Sequence, residues 1–184
     1  MQSLDLPEDL PVPVDDGAAE HLWGATLPSV TLSATDGAAH DLGAFSGWTV
    51  LYVYPMTGRP DRALPDGWDA IPGARGCTPQ SCAFRDHHAD LAALGARVFG
   101  LSTQASDYQR EARDRLHLPF ELLSDTDRRL AAELALPTFD DAGETLYRRL
   151  TLILEGSTVR HLFYPVFPPD ANARDVIDWL RDAR

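Results

Sequence analysis

Residues 48–55 read WTVLYVYP, and the fold turns on them. The run is nearly continuous in β-branched and aromatic side chains, the pattern of a central strand buried on both faces. Pro55 ends it, because proline brings no N–H to a ladder. Residues 56–76, MTGRPDRALPDGWDAIPGARG, carry too much Pro and Gly for a helix or strand and predict an unusually long loop. After the loop, residues 77–95, CTPQSCAFRDHHADLAALG, predict a helix capped by Thr78, with Pro79 at its first position and Gly95 at its end.

Outward from this strand, loop and helix the pattern alternates. A strand is expected at 96–102, a helix at 106–117, a strand at 119–125 and a helix at 126–136, which together predict a sheet with parallel character. Short alternating runs around Thr35-Asp36-Gly37 predict a small hairpin upstream. Residues 149–154 and 158–164, joined at Glu155-Gly156-Ser157, predict another, and ARDVIDWLRDA supplies a last helix. The expectation is one α/β domain over residues 21–184 with a long inserted loop at 56–76. An acidic arm, residues 1–20, precedes it and reads as poorly ordered, since it carries three prolines and few groups to bury.

Charge narrows the function. The net charge of -12 repels phosphate backbones and anionic lipid, so nucleic acid and membrane surfaces are excluded as partners. All 16 basic residues are Arg. Without lysine there is no Schiff-base chemistry and no P-loop, and G-x-G-x-x-G, H-E-x-x-H and G-x-S-x-G are also missing. A chain without Lys and with Asn172 as its one Asn fits a GC-rich bacterial coding sequence. The first twenty residues lack the basic start and apolar centre of an export signal, so a cytoplasmic location is expected.

In a reducing cytoplasm Cys77 and Cys82 are inert thiols, metal ligands or redox groups. Cys77 stands where the loop meets the helix, facing free backbone N–H groups and the positive end of the helix dipole, both of which favour a thiolate. Cys82 lies five positions on, about 140° around and about 7.5 Å along an α-helix. That separation is beyond disulfide reach, so bonding the two requires the helix start to unwind. A metal site of Cys77, Cys82, His87 and His88 is disfavoured, because adjacent histidines point apart and do not converge on a tetrahedron.

The strings YVYPMTG and GCTPQSCAFRD resemble the active-site region of peroxiredoxins, and two cysteines five apart in one helix are similar to the peroxiredoxin Q, or bacterioferritin comigratory protein, class. The likeness extends from Gly24 and Pro28 through LSTQ, FELLSD and RRLAAELAL to RRLTLILEG and VIDWL. It implies a thioredoxin-like fold, a central mixed sheet flanked by helices, and a thiol peroxidase for hydrogen peroxide and organic hydroperoxides. By resemblance Cys77 is the peroxidatic cysteine, Cys82 the resolving one, Pro55 the shield of the thiolate and Arg149 the active-site arginine. Thioredoxin or a similar dithiol is the implied reductant, no metal or organic cofactor is needed, and a monomer is expected. One departure stands out. The family places a Thr three residues before the first cysteine, where this chain has Ala74, so Thr57, or failing that Thr78, is expected to supply the hydroxyl. The rival readings are a thiol-disulfide oxidoreductase, against which the lack of C-x-x-C counts, and a non-catalytic binding protein on the same fold.

Overall fold

The computed structural model describes residues 6–183. The strands are β1 (Thr31–Ala34), β2 (Ala39–Asp41), β3 (Trp48–Val53), β4 (Ala96–Ser102), β5 (Glu121–Ser124), β6 (Thr138–Asp141), β7 (Glu144–Tyr147), β8 (Leu150–Glu155) and β9 (Thr158–Phe163). The helices are α1 (Cys77–Asp86), α2 (His88–Ala93), α3 (Ser106–Leu116), α4 (Arg129–Leu134) and α5 (Asn172–Asp182). Seven strands form one mixed sheet in the order β2-β1-β5-β4-β3-β8-β9, and β6 and β7 pair apart from it. β3 runs parallel to β4 and antiparallel to β8, with Val53 opposite Leu150.

The strand expected to be buried on both faces is so buried. Val50, Tyr52 and Tyr54 join Phe84, Val176, Ile177 and Leu180 in the core beneath α1 and α5. Leu51 and Val53, alternating with them, join Phe99, Leu130, Leu134 and Leu152 on the other side. Each such aliphatic side chain contributes roughly 1.5–3 kcal/mol by leaving water. Gly100 makes the first layer possible. A Cβ there would stand 2.8 Å from the Tyr52 hydroxyl, so only glycine leaves the ring its space. The Tyr52 ring then stacks on Phe84 at 4.6 Å and its hydroxyl meets Ser81 Oγ at 3.0 Å, which seats α1 on the sheet.

Three expectations are corrected, and one element appears that none of them covered. The residue before α1 is Gly76, at φ 109, and no side chain caps the helix; Thr78 and Pro79 lie within its first turn, where the missing proline N–H costs nothing. The helix expected to run to Gly95 breaks at His87 into α1 and α2. The β6–β7 hairpin, turning through Ala142 and Gly143 at positive φ, was not foreseen. Finally, the arm expected to be poorly ordered is laid along the domain in its described part, residues 6–20. Asp16 accepts from the Tyr164 hydroxyl at 2.8 Å, Ala19 is buried, and Pro13 lies beside Gly73. Pro7, Leu10, Pro11 and Pro13 are half-buried along it, whereas Val12 and Val14 stay exposed. Residues 1–5 of the expected arm lie outside the described residues.

The long loop between β3 and α1 also has a core. Trp68, in a 3-10 turn at Trp68–Ala70, packs with Ala74 and with Leu146 of β7, and Met56, Leu64, Ile71 and Phe139 close around them. Loop and hairpin thus stabilise each other beside the sheet.

Candidate active site

Three segments converge at one end of the sheet. The antiparallel register that puts Val53 opposite Leu150 carries Arg149 to the level of Tyr54, where β3 gives way to buried Pro55. The loop from Gly73 to Gly76 delivers the start of α1 to the same place. Gly76 is required here: its φ is 109, and a Cβ would fall 2.3 Å from Pro169 Cγ.

Cys77, the first residue of α1, is 3% exposed and Arg149 is 4% exposed. Arg149 Nη2 donates to Cys77 Sγ at 3.1 Å. The rest of the guanidinium is held by Gly73 O at 3.2 Å, Ala74 O at 3.0 Å, Arg75 O at 3.3 Å and Gln80 Oε1. All of these are neutral acceptors, and no carboxylate pairs with Arg149 among the described residues. A buried cation wants a counter-charge, and the one group here able to supply it is the sulfur of Cys77 as thiolate. As a thiol, Cys77 donates to Ala74 O at 3.7 Å.

Cys82, one turn and a half along α1, is 6% exposed and borders a groove of about 270 Å³ formed with Pro79, Arg85, Asp86, His87 and Asp170. Burial pushes its thiol above the ordinary value of 9.0, with the nearby Arg85 guanidinium opposing that rise. Both cysteines are free thiols.

The hydroxyl expected beside Cys77 is not supplied by Thr57. Its Oγ1 donates to Gln104 Oε1 at 3.2 Å and its carbonyl accepts from Tyr108, so it is committed to the β4–α3 side. Among the described residues neither Thr57 nor Thr78 bonds to Cys77. At the position where the resemblance expects a threonine, the Ala74 methyl packs with Trp68 and Leu146, and its carbonyl faces the sulfur. The sequence reading also passed over Gln80, Asn172 and Thr151, which extend the site from Arg149 toward α5. A helical spacing of three from Cys77 is the one local sign pointing to Gln80.

A cavity of about 660 Å³ opens between the β3–α1 loop and α3 but is lined by neither Cys77 nor Arg149. Another, about 210 Å³, reaches Arg149 and is walled by Pro13, Pro72, Phe139 and Val166.

A mixed sheet with a helix-borne cysteine at its end is the redoxin arrangement, and residues 23–177 match the Redoxin family. The chain is 31% identical over 160 residues to the chloroplastic peroxiredoxin Q of Oryza sativa subsp. japonica, covering 86% of this chain and 66% of the rice protein, just under two thirds of its length. It is 31% identical over 163 residues to the chloroplastic peroxiredoxin Q of Sedum lineare, covering 88% of this chain and 78% of that one. The crystal structure of peroxidoxin BcpB from Mycobacterium tuberculosis superposes with a TM-score of 0.72 at 25% identity, over 88% of this chain and 97% of that chain. The chain belongs to the Redoxin family, within its peroxiredoxin Q or bacterioferritin comigratory protein class.

Proposed function

We propose that this chain is a thiol peroxidase in which Cys77 is the peroxidatic and Cys82 the resolving cysteine. The observation that carries the reading is the 3.1 Å contact between Arg149 Nη2 and Cys77 Sγ, made by a buried guanidinium that has no carboxylate partner among the described residues. The Cys77 thiolate attacks one oxygen of a hydroperoxide, the O–O bond breaks, and the leaving oxygen takes up a proton and departs as water or alcohol. Cys77 is left as sulfenic acid. Arg149 stabilises the thiolate before attack and the charge that spreads over the peroxide oxygens during it. Pro55, buried beside the level of Arg149, keeps bulk water from the sulfur.

The start of α1 then unwinds and the Cys82 sulfur attacks that of Cys77. The sulfenic oxygen leaves as water and an intrachain disulfide remains. An external dithiol, thioredoxin in this reading, reduces it by exchange. In this reading the chain works in a reducing compartment, the cytoplasm of a bacterium, where a dithiol reductant is at hand. The protein acts as a monomer in this reading, which size-exclusion chromatography checks.

The test is mass spectrometry after one equivalent of hydrogen peroxide, paired with stopped-flow kinetics. A loss of two hydrogens mapped to Cys77 and Cys82, formed far faster than a free thiol reacts, supports the peroxidase. Exchange with protein disulfides and no fast peroxide reaction would make the chain a thiol-disulfide oxidoreductase, and peroxide consumption unchanged in Cys77→Ser would make it a non-catalytic protein.

A further inference from the structure

The arm that precedes the sheet lies across the part of the chain that the resolving step must move. Its inner end is fixed: Asp16 accepts from the Tyr164 hydroxyl at 2.8 Å, and just beyond it Ala19 and Leu22 are buried in the core. Followed back toward its start, the arm passes over the loop that leads into α1. Pro13 stands against Gly73, where a Cβ would meet its ring carbons at 3.5 Å, and Val12, Pro13 and Val14 share a cavity wall with Pro72, Gly73 and Arg149. Leu6, at the outer end, reaches Gly76, where a Cβ would lie 3.1 Å from Leu6 Cδ2.

Gly76 is thus packed by two segments from distant parts of the chain, Leu6 of the arm and Pro169 of the 3-10 turn Pro169–Ala171. It is also where α1 must let go. The Gly76 carbonyl accepts from Gln80 N at 3.0 Å, a bond of the first turn of the helix that carries both cysteines. Unwinding that turn breaks the bond and has to part Gly76 from Leu6. The arm gives up little backbone freedom in lying there, because Pro7, Pro11 and Pro13 already fix φ at three of its positions. Its residues from 6 to 16 are half-buried or exposed, so it can be released without melting the sheet.

We propose that residues 6–16 act as a strap on the start of α1, held through Leu6 and Pro13, and that the strap sets how fast Cys82 reaches Cys77 after peroxide has reacted. The inference rests on the thiol peroxidase reading and adds the control of its second step. While the helix stays strapped, the Cys77 sulfenic acid waits beside Arg149, open to a second hydroperoxide. The sulfenate sulfur then attacks one peroxide oxygen, the O–O bond breaks, water or alcohol leaves, and Cys77 becomes sulfinic acid. The hold of the arm therefore divides the sulfenic acid between the recyclable disulfide and the sulfinic acid.

The experiment compares the full chain as wild type, Leu6→Ala and Tyr164→Phe, the last cutting the inner tie of the arm without touching α1. Circular dichroism confirms that each is folded. In the reduced proteins, hydrogen–deuterium exchange of residues 77–82 should be about fivefold faster in Leu6→Ala and faster by less in Tyr164→Phe. Rapid acid quench after hydrogen peroxide, read by mass spectrometry, then counts sulfenic acid, disulfide and sulfinic acid. The disulfide should form about fivefold faster in Leu6→Ala while sulfenic acid forms at the wild-type rate, and the sulfinic fraction at high peroxide should drop. Tyr164→Phe decides the matter alone if Leu6→Ala does not fold. Exchange and disulfide formation equal to wild type in the folded variants would overturn the strap, and so would slower disulfide formation. Because exchange needs no peroxide, that failure is distinct from failure of the peroxidase reading, which would show as a wild-type chain no faster toward peroxide than a free thiol.

Discussion

Arg149 sets its Nη2 3.1 Å from Cys77 Sγ although 72 positions separate the two residues. The register of β8 on β3 supplies one half of this meeting and the Gly76 bend at the start of α1 supplies the other. A guanidinium suits the place because a planar fork can face a sulfur and several carbonyls together, whereas an ammonium is a point charge. Arg149→Lys should therefore slow sulfenic acid formation by about 100-fold, the scale on which a preorganised donor to developing charge is lost. It should also destabilise the fold by about 3 kcal/mol, since the carbonyls of Gly73, Ala74 and Arg75 would lose donors in a buried place. Stopped-flow kinetics reads the first effect and urea denaturation the second.

Gly76 touches a different part of the cycle. Its φ of 109 and the 2.3 Å approach of Pro169 Cγ to a would-be Cβ leave no room for alanine. The helix start can escape that strain by unwinding, which is the movement that lets Cys82 reach Cys77. Gly76→Ala should cost the reduced fold about 2 kcal/mol or more. It should also shift the thiol-disulfide equilibrium toward the disulfide, measured against a glutathione redox series.

How much of this could be read from residues alone depended on how local each cause was. β3 was legible because a strand buried on both faces must be apolar almost throughout, and β4 because it keeps the same character from Ala96 to Ser102. The β6–β7 hairpin was not, since Asp140, Asp141, Glu144 and Thr145 mask the apolar Phe139 and Leu146 that hold it against Trp68. The cap of α1 was misread because a hydroxyl residue near a helix start outranks glycine in general, and the closeness of Pro169 is a tertiary fact. Cys77 and Arg149 carried a recognisable motif. Gln80 and Asn172 lie 92 positions apart, and no local pattern announces that they meet.

Cys82 predicts a pH dependence whose sign follows from its surroundings. Burial raises its thiol above 9.0 in the folded chain, so the folded state keeps this proton at a pH where the unfolded state has released it. Stability is then fully present below the unfolded thiol value and is lost as pH rises past it. Thermal melting temperatures should fall above about pH 9 in wild type, and less steeply in Cys82→Ser. Formation of the disulfide from the sulfenic acid should accelerate over the same interval, because the unwound helix returns Cys82 to an ordinary thiol. An acceleration equal in size below pH 7 would count against unwinding.

The long loop between β3 and α1 yields a prediction that separates structure from chemistry. Trp68 is 3% exposed, and its ring lies 6.2 Å from that of Phe139 on the β6–β7 hairpin. Removing so large a buried side chain commonly costs about 3 kcal/mol. Here the loss falls on a small cluster apart from the two main core layers, so it should loosen loop and hairpin before it melts the sheet. Ala74 belongs to that cluster, and its carbonyl is one of the acceptors that fix Arg149. Trp68→Ala should then show new protease cleavage within residues 56–76 while far-UV circular dichroism keeps its native form. Its sulfenic acid formation should slow several-fold through the displaced Ala74 carbonyl, and an unchanged peroxide rate in a variant whose loop is cleaved would show that Arg149 keeps its aim without the insertion.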